Sequence, residues 1–163
     1  MAMTMEQLKQ LCDEMGLRYF LDPRRTAVTF GLRGDSSTYH LLALLDLDGT
    51  FLQLRSIEYV KCLGGHPSLL AVLKVLGELN LATRLVKYGW DGVDGEIVAF
   101  GDMWIMDGTV TPNQFRRMLV NWMGSVDSAY LRLTKTIETG KDPGPDTGQA
   151  GSGGGGGKAV TEV

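Results

Sequence analysis

Cysteine and histidine are scarce in this chain of 163 residues, which has two of each. A zinc site usually draws on two pairs of such ligands. Cys62 and His66 lie four residues apart, but no second pair is near them in the sequence. Cys12 falls on the apolar stripe of a predicted helix, so we expect a small buried side chain. We therefore predict no metal site, and a core that is stable without disulfides or metals.

Excess basic charge and long apolar runs are also lacking. The chain has 16 Lys and Arg against 19 Asp and Glu, a net charge of -3, whereas nucleic-acid-binding domains usually carry a basic stripe. The richest apolar run, residues 41–45, ends at Asp46 and is far shorter than the roughly 18 residues of a membrane helix. The first residues lack the basic and apolar regions of a secretory signal. We expect a cytoplasmic protein that binds neither nucleic acid nor membrane.

Motifs of catalysis are missing as well. The Gly-rich segments 31–34 and 64–65 match neither the dinucleotide fingerprint nor the phosphate loop. Asp91, Asp94 and Glu96 crowd one turn, but without the 12-residue register of a calcium loop. We predict that the protein is not an enzyme and has no cofactor.

One alternative stays open for the histidines. The loop from Cys62 to His66, together with Asp91 and Asp94, could form a small-molecule-binding or weakly catalytic site. His40 begins a predicted strand, and we expect it to lie at a sheet edge and to have no functional role.

Helical periodicity occurs in three segments. Thr4 and Gln7 form a capping box before an apolar stripe, which predicts a helix over residues 5–15. Residues 67–81 are apolar on nearly every side and predict a buried helix with Pro67 at its first position. Thr111 and the following Pro begin a third helix of roughly seven turns.

Period-2 alternation predicts six strands. Short turns join them in pairs, and such turns permit only antiparallel neighbours. The element order α-β-β-β-β-α-β-β-α therefore predicts a single α+β domain over residues 1–138 with a mainly antiparallel sheet. Residues 139–163 are rich in Gly, Pro and Asp and predict a flexible tail. The predicted strands cover residues 17–21, 26–32, 40–47, 51–60, 85–90 and 96–105.

Several strands are apolar on both faces. Leu42 and Leu44 share one face of their strand, while the residues between them are apolar too. In the last strand Val98, Phe100 and Trp104 share one face, and the other face is apolar too, with Ile97, Ala99, Met103 and Ile105. A sheet with one wet face normally alternates cleanly. Either helices cover both faces, or apolar surface that includes Leu42 and Leu44 is left for a partner.

The element order and two local segments, residues 44–52 and 108–112, resemble YbjN-like proteins and the class I chaperones of type III secretion. The resemblance spans about residues 4–138. It implies a cytoplasmic protein without enzymatic activity. The secretion chaperones of this type are homodimers that hold an extended client segment on apolar sheet and helix patches.

Carried onto this chain, the resemblance implies two surfaces. The helix over residues 67–81 would supply a homodimer contact, although packing between its own sheet and another helix is the alternative. The first helix and neighbouring strands would bind the client. We predict a non-catalytic protein-binding module, such as a dimeric chaperone or an assembly or regulatory factor. The implied dimer residues are Leu70, Leu73 and Val75, and the implied client residues are Leu8, Phe20 and Val28.

Overall fold

The computed structural model describes residues 2–22, 24–106 and 108–145. They form three α-helices and seven strands, one strand more than predicted before the second helix, and the α+β class with an antiparallel sheet is confirmed. The helices are α1 (Met5–Glu14), α2 (Leu69–Ala82) and α3 (Pro112–Thr139). The strands are β1 (Tyr19–Asp22), β2 (Ala27–Arg33), β3 (Thr38–Asp46), β4 (Phe51–Ile57), β5 (Val60–Lys61), β6 (Val86–Trp90) and β7 (Glu96–Trp104).

All strand pairs are antiparallel. β1, β2, β3 and β4 are successive neighbours, and β4 lies beside β7. Phe100 of β7 pairs with both Arg55 of β4 and Lys87 of β6, so β4 and β6 flank β7 on opposite sides. The outer strands are therefore β1 and β6. The prediction of a sheet-edge histidine is wrong, because His40 lies between Gly31 of β2 and Ile57 of β4.

A bulge divides the predicted strand 51–60 into β4 and β5. Arg55 pairs with Phe100, and Val60 pairs with Ile97. The chain therefore advances five residues from β4 to β5, whereas β7 advances only three over the same distance. Glu58 has a φ of 52°, and its N–H donates to Glu96 Oε1 at 2.8 Å. Such a bulge bends the strand and redirects its side chains. Tyr59 thereby becomes a core residue.

The helix ends largely follow the predicted caps. Capping boxes are present at Thr4 and Thr111, and the left-handed conformation of Gly140, with φ of 70°, ends α3. α2 begins at Leu69 rather than Pro67, with Ser68 at its cap. Ser68 Oγ instead donates to Ile137 O at 2.8 Å, which joins the start of α2 to the end of α3.

The three helices pack on one face of the sheet. The core contains the odd-numbered residues 39–45 of β3 together with buried residues of α1, α2 and α3. Leu42, on the opposite face of β3, is absent from that core cluster. Trp122 and Phe115 of α3 are its largest fully buried side chains. None of the helices among the described residues is long and apolar enough to cross a membrane.

Tyrosine hydroxyls fix the middle of α3 against the sheet. Tyr59 Oη donates to Val126 O at 2.6 Å and Tyr88 Oη to Ser125 O at 2.9 Å. Tyr39 Oη donates to Asp127 Oδ1 at 2.7 Å. Burial is the largest cause that raises the pKa of each of these hydroxyls. Because all three stay protonated and donate, α3 is held in one register across the strands.

A buried arginine connects α2, α3 and the segment after α3. Arg132 Nε donates to Asp142 Oδ1 at 2.8 Å, and its guanidinium also binds Glu78 of α2. These hydrogen bonds from Arg132 are the main cause of the lowered pKa of Asp142. Asp142 belongs to the segment predicted as a flexible tail, and this ion pair holds it against α3. Residues 146–163 of that predicted tail lie outside the described residues.

The lowered pKa of Asp142 predicts a pH-dependent contribution to stability. Its carboxylate stabilises the folded state above its ordinary pKa of about 3.9, and the contribution is lost as the pH falls through the lower folded-state pKa. Asp142→Asn should therefore reduce the free energy of unfolding by about 1 kcal/mol at neutral pH. The difference from wild type should shrink as the pH falls below that ordinary pKa, because the carboxylate of Asp142 becomes protonated. Urea unfolding across this range measures it, with Glu138→Gln as the control, and a constant difference at every pH would contradict it.

Candidate functional site

The face of the sheet opposite the helices, which we call the open face, carries large apolar side chains. One cross-strand row runs from Phe20 of β1 through Thr29, Leu42 and Arg55 to Phe100 of β7. Phe20 is 78% exposed. The core beneath the described helices includes none of this row. Phe20 and Arg55 are exposed, whereas Leu42 is nearly buried.

A second apolar group lies at the end of β4 and β7. Phe51 and Trp104 are cross-strand partners, and their ring centroids are 5.0 Å apart in an edge-to-face arrangement. Trp104 is nevertheless 62% exposed. Leu44 of β3 is half-buried on the same face. Exposed apolar groups of this kind mark interaction surfaces in soluble proteins.

Two hollows indent the open face. The first has a volume of about 410 Å³ and is lined by residues of β4, β6 and β7 that include Arg55, Val98 and Phe100. The second has a volume of about 480 Å³ and lies around Phe20 and His40. Side chains of a bound polypeptide could therefore enter the face at two points.

The structure brings some of the predicted client residues together and separates others. Phe20, Leu42 and Leu44 all belong to the open face, although neighbouring side chains leave Leu42 almost fully buried. Leu8 and Val28 lie in the core beneath the helices. Their burial leaves them no surface for a partner in this conformation. The period-2 pattern identifies which residues share a face, but it does not say which face the helices cover.

Of the three residues predicted for a dimer contact, two are exposed and one is buried. Leu70 and Leu73 lie on the outer side of α2, where Leu70 is 67% exposed. Val75 lies on the inner side and is fully buried. Leu81 is exposed too, so within one chain the outer side of α2 is not covered. α2 packs on β6 and α3 and leaves its outer side bare.

In the loop proposed for an alternative small-molecule site, the candidate side chains are either buried or hydrogen-bonded to nearby backbone groups. Cys62 is buried, which raises the pKa of its thiol. The carboxylates of Asp91 and Asp94 accept from the N–H groups of Val93 and Glu96 within their own turn. His66 Nδ1 accepts from the N–H of Ser68. In the part of the chain that the structure describes, no three His, Cys, Asp or Glu side chains are placed to hold a metal ion.

Sequence reasoning missed the contribution of Arg55 and Phe51 to the open face. Both alternate correctly with buried residues of β4, so their orientation was available from the pattern. Their neighbours were not, because the pairing of β4 with β3 and β7 depends on the order of strands in the sheet.

Residues 4–135 match the sequence model of the YbjN family, described as "Putative bacterial sensory transduction regulator". The chain belongs to the YbjN family. A search of curated proteins found no match.

Solved structures can also be superposed on this chain. YbjN of E. coli superposes with a TM-score of 0.62 at 17% identity, covering 82% of this chain and 92% of that one. A protein chain of the ExsC-ExsE complex gives a TM-score of 0.51 at 16% identity, with coverage of 82% and 97%. A chain of the HopA1-SchA chaperone-effector complex gives 0.49 at 12% identity, with coverage of 73% and 86%. The YbjN-like and secretion-chaperone-like fold predicted from the sequence is confirmed.

Proposed function

We propose that this YbjN-family chain is a non-catalytic protein-binding module that holds an extended segment of a client polypeptide on its open face. The observation that carries the proposal is the apolar surface of that face. Phe20 and Trp104 are mostly exposed, and Leu44 and Phe100 lie between them. Apolar area removed from water there would contribute roughly 25 cal/mol per Å².

The outer strand β1 supports a backbone mode of binding. Within the described sheet β1 pairs only with β2, so its other edge offers N–H and C=O groups to an added strand. A client strand at this edge would extend the sheet and place alternate side chains on the open face beside Phe20. The backbone contacts would supply affinity, and the hollow around Phe20 would select side chains.

The solved relatives support a protein as the ligand. One of them was determined as a complex, ExsC-ExsE. The two cysteines of this chain are free and buried, which suits a reducing compartment. We therefore propose that the module works in the cytoplasm as a chaperone, an assembly factor or a regulator.

Phe20→Asp should remove the client. A carboxylate placed in the apolar contact would be desolvated by the bound polypeptide, so we expect at least a tenfold loss of the copurifying partner. Affinity purification from the native cytoplasm with quantitative mass spectrometry measures this loss. Because Phe20 is exposed, the free energy of unfolding should change by only about 0.5 kcal/mol or less.

Leu131→Asp is the matched control, since it introduces the same charge at an exposed apolar residue on α3. It should retain the partner. Equal partner recovery from wild type and Phe20→Asp would contradict the proposal.

We further propose that a second copy of the chain binds the outer side of α2. Leu70, Leu73 and Leu81 form an apolar strip along that side, and Gly77 between them leaves open space for a neighbouring helix. Small residues allow helices to approach closely at a crossing point. Val75 would support this surface from inside the core.

Leu70→Asp should convert the dimer into a monomer, because two carboxylates would meet near the crossing. Light scattering during size-exclusion chromatography measures the mass. Val93→Asp, at a fully exposed turn residue, should leave the dimer intact. A monomeric wild-type protein would refute the dimer while leaving client binding untouched.

A further inference from the structure

Arg55 occupies the middle of the open face. It lies on β4, where its cross-strand neighbours are Leu42 and Phe100. In the described chain the guanidinium forms no hydrogen bond or ion pair. The nearby amide of Gln53 donates to Asp102 instead, at 2.8 Å. An exposed cation without a partner in the described chain thus lies between two apolar side chains.

The hollow beside Arg55 has room for a side chain. Val98 and Phe100 of β7 line it, and Gly89 of β6 contributes no side chain. A Cβ added at Gly89 would lie 3.6 Å from the Phe100 ring and would fill space above it. Asp91 also lines the hollow, and its carboxylate accepts from the N–H of Val93.

Acidic side chains of the open face already accept hydrogen bonds, as Glu96 does from the N–H of Glu58. Asp102 binds Gln53, and Asp22 accepts from the N–H of Arg24. Asp46 accepts from the N–H of Leu47. Among the described residues none of these carboxylates pairs with the guanidinium of Arg55, which is open to an external acceptor.

A bound client would cover this guanidinium. Removing an arginine from water without a hydrogen-bonding acceptor carries a desolvation cost that apolar contacts around it do not offset. A client that binds here must therefore bring an acceptor of its own. The planar guanidinium matches a carboxylate, with which it forms two parallel hydrogen bonds.

We infer that the open face selects client segments in which a Glu or Asp side chain binds Arg55 and apolar side chains two residues away bind beside it. This inference rests on the proposed function and specifies its ligand. Alternate residues of an extended strand project to the same side, about 7 Å apart. Val98 and Phe100 have this same spacing on β7 and line the hollow.

Two capped peptides test the inference with the full chain. They are acetyl-Phe-Ser-Glu-Ser-Leu-amide and the same peptide with Gln in place of Glu, so that all three contact residues project to one side. Binding is followed by NMR titration at low salt. Wild type should prefer the Glu peptide by about fivefold, as expected for one partly desolvated ion pair, and added salt should reduce this preference.

Arg55→Gln should bind the two peptides equally, whereas Arg116→Gln, an exposed arginine on α3, should retain the preference. Equal binding by wild type, or a preference that survives in Arg55→Gln, would overturn the inference. Failure of both peptides to bind wild type at about 1 mM would overturn it too. The proposed function is judged separately by client recovery with Phe20→Asp.

Discussion

The packing of α1, α2 and α3 on one face of the sheet is the constraint on which the other features depend. α3 is 28 residues long and contacts both other helices and β5, β6 and β7. Tyrosine hydroxyls from β3, β6 and the bulge before β5 all bind its residues 125–127. Because the described helices all pack on that one face, only neighbouring side chains of the sheet can shield the apolar residues of the open face from water. Leu42 and Val98 are nearly buried by their neighbours on the sheet, while Phe20 and Trp104 are not.

This one-sided arrangement explains how a stable domain can keep an apolar surface. The core on the helix side includes Trp122, Phe115 and many aliphatic side chains, so most of the buried apolar side chains lie away from the open face. Arg132 adds an ion pair that connects α2, α3 and Asp142. Substitutions on the open face should therefore separate binding from stability, which is what makes the function testable in this chain.

Much of the fold could be predicted from the sequence. The capping boxes at Thr4 and Thr111 and the alternation of the strands gave the element order and the antiparallel sheet. The bulge at Glu58 was missed because its positive φ occurs at a residue with no turn signature. The predicted ends of the second helix, residues 67 and 81, differ from the observed ends, Leu69 and Ala82, by one or two residues, as helix ends often do.

The candidate site could be predicted only in part. The apolar residues on both faces of β3 and β7 indicated surplus surface, and Phe20, Leu42 and Leu44 do share the open face. Leu8, Val28 and Val75 were predicted as contacts but lie in the core. Periodicity places residues on a common side, whereas burial depends on where distant helices pack. Arg55 becomes informative only through its neighbours on β3 and β7.

Site-specific photo-crosslinking in the native cytoplasm tests most directly whether the open face is the binding surface. Benzoylphenylalanine is introduced at Phe20, which it resembles in shape, and separately at Val120, an exposed residue of α3. A client covalently captured from position 20 and not from position 120 is the result our account predicts. Capture from position 120 alone would contradict it and would move the binding surface to the helical side of the domain.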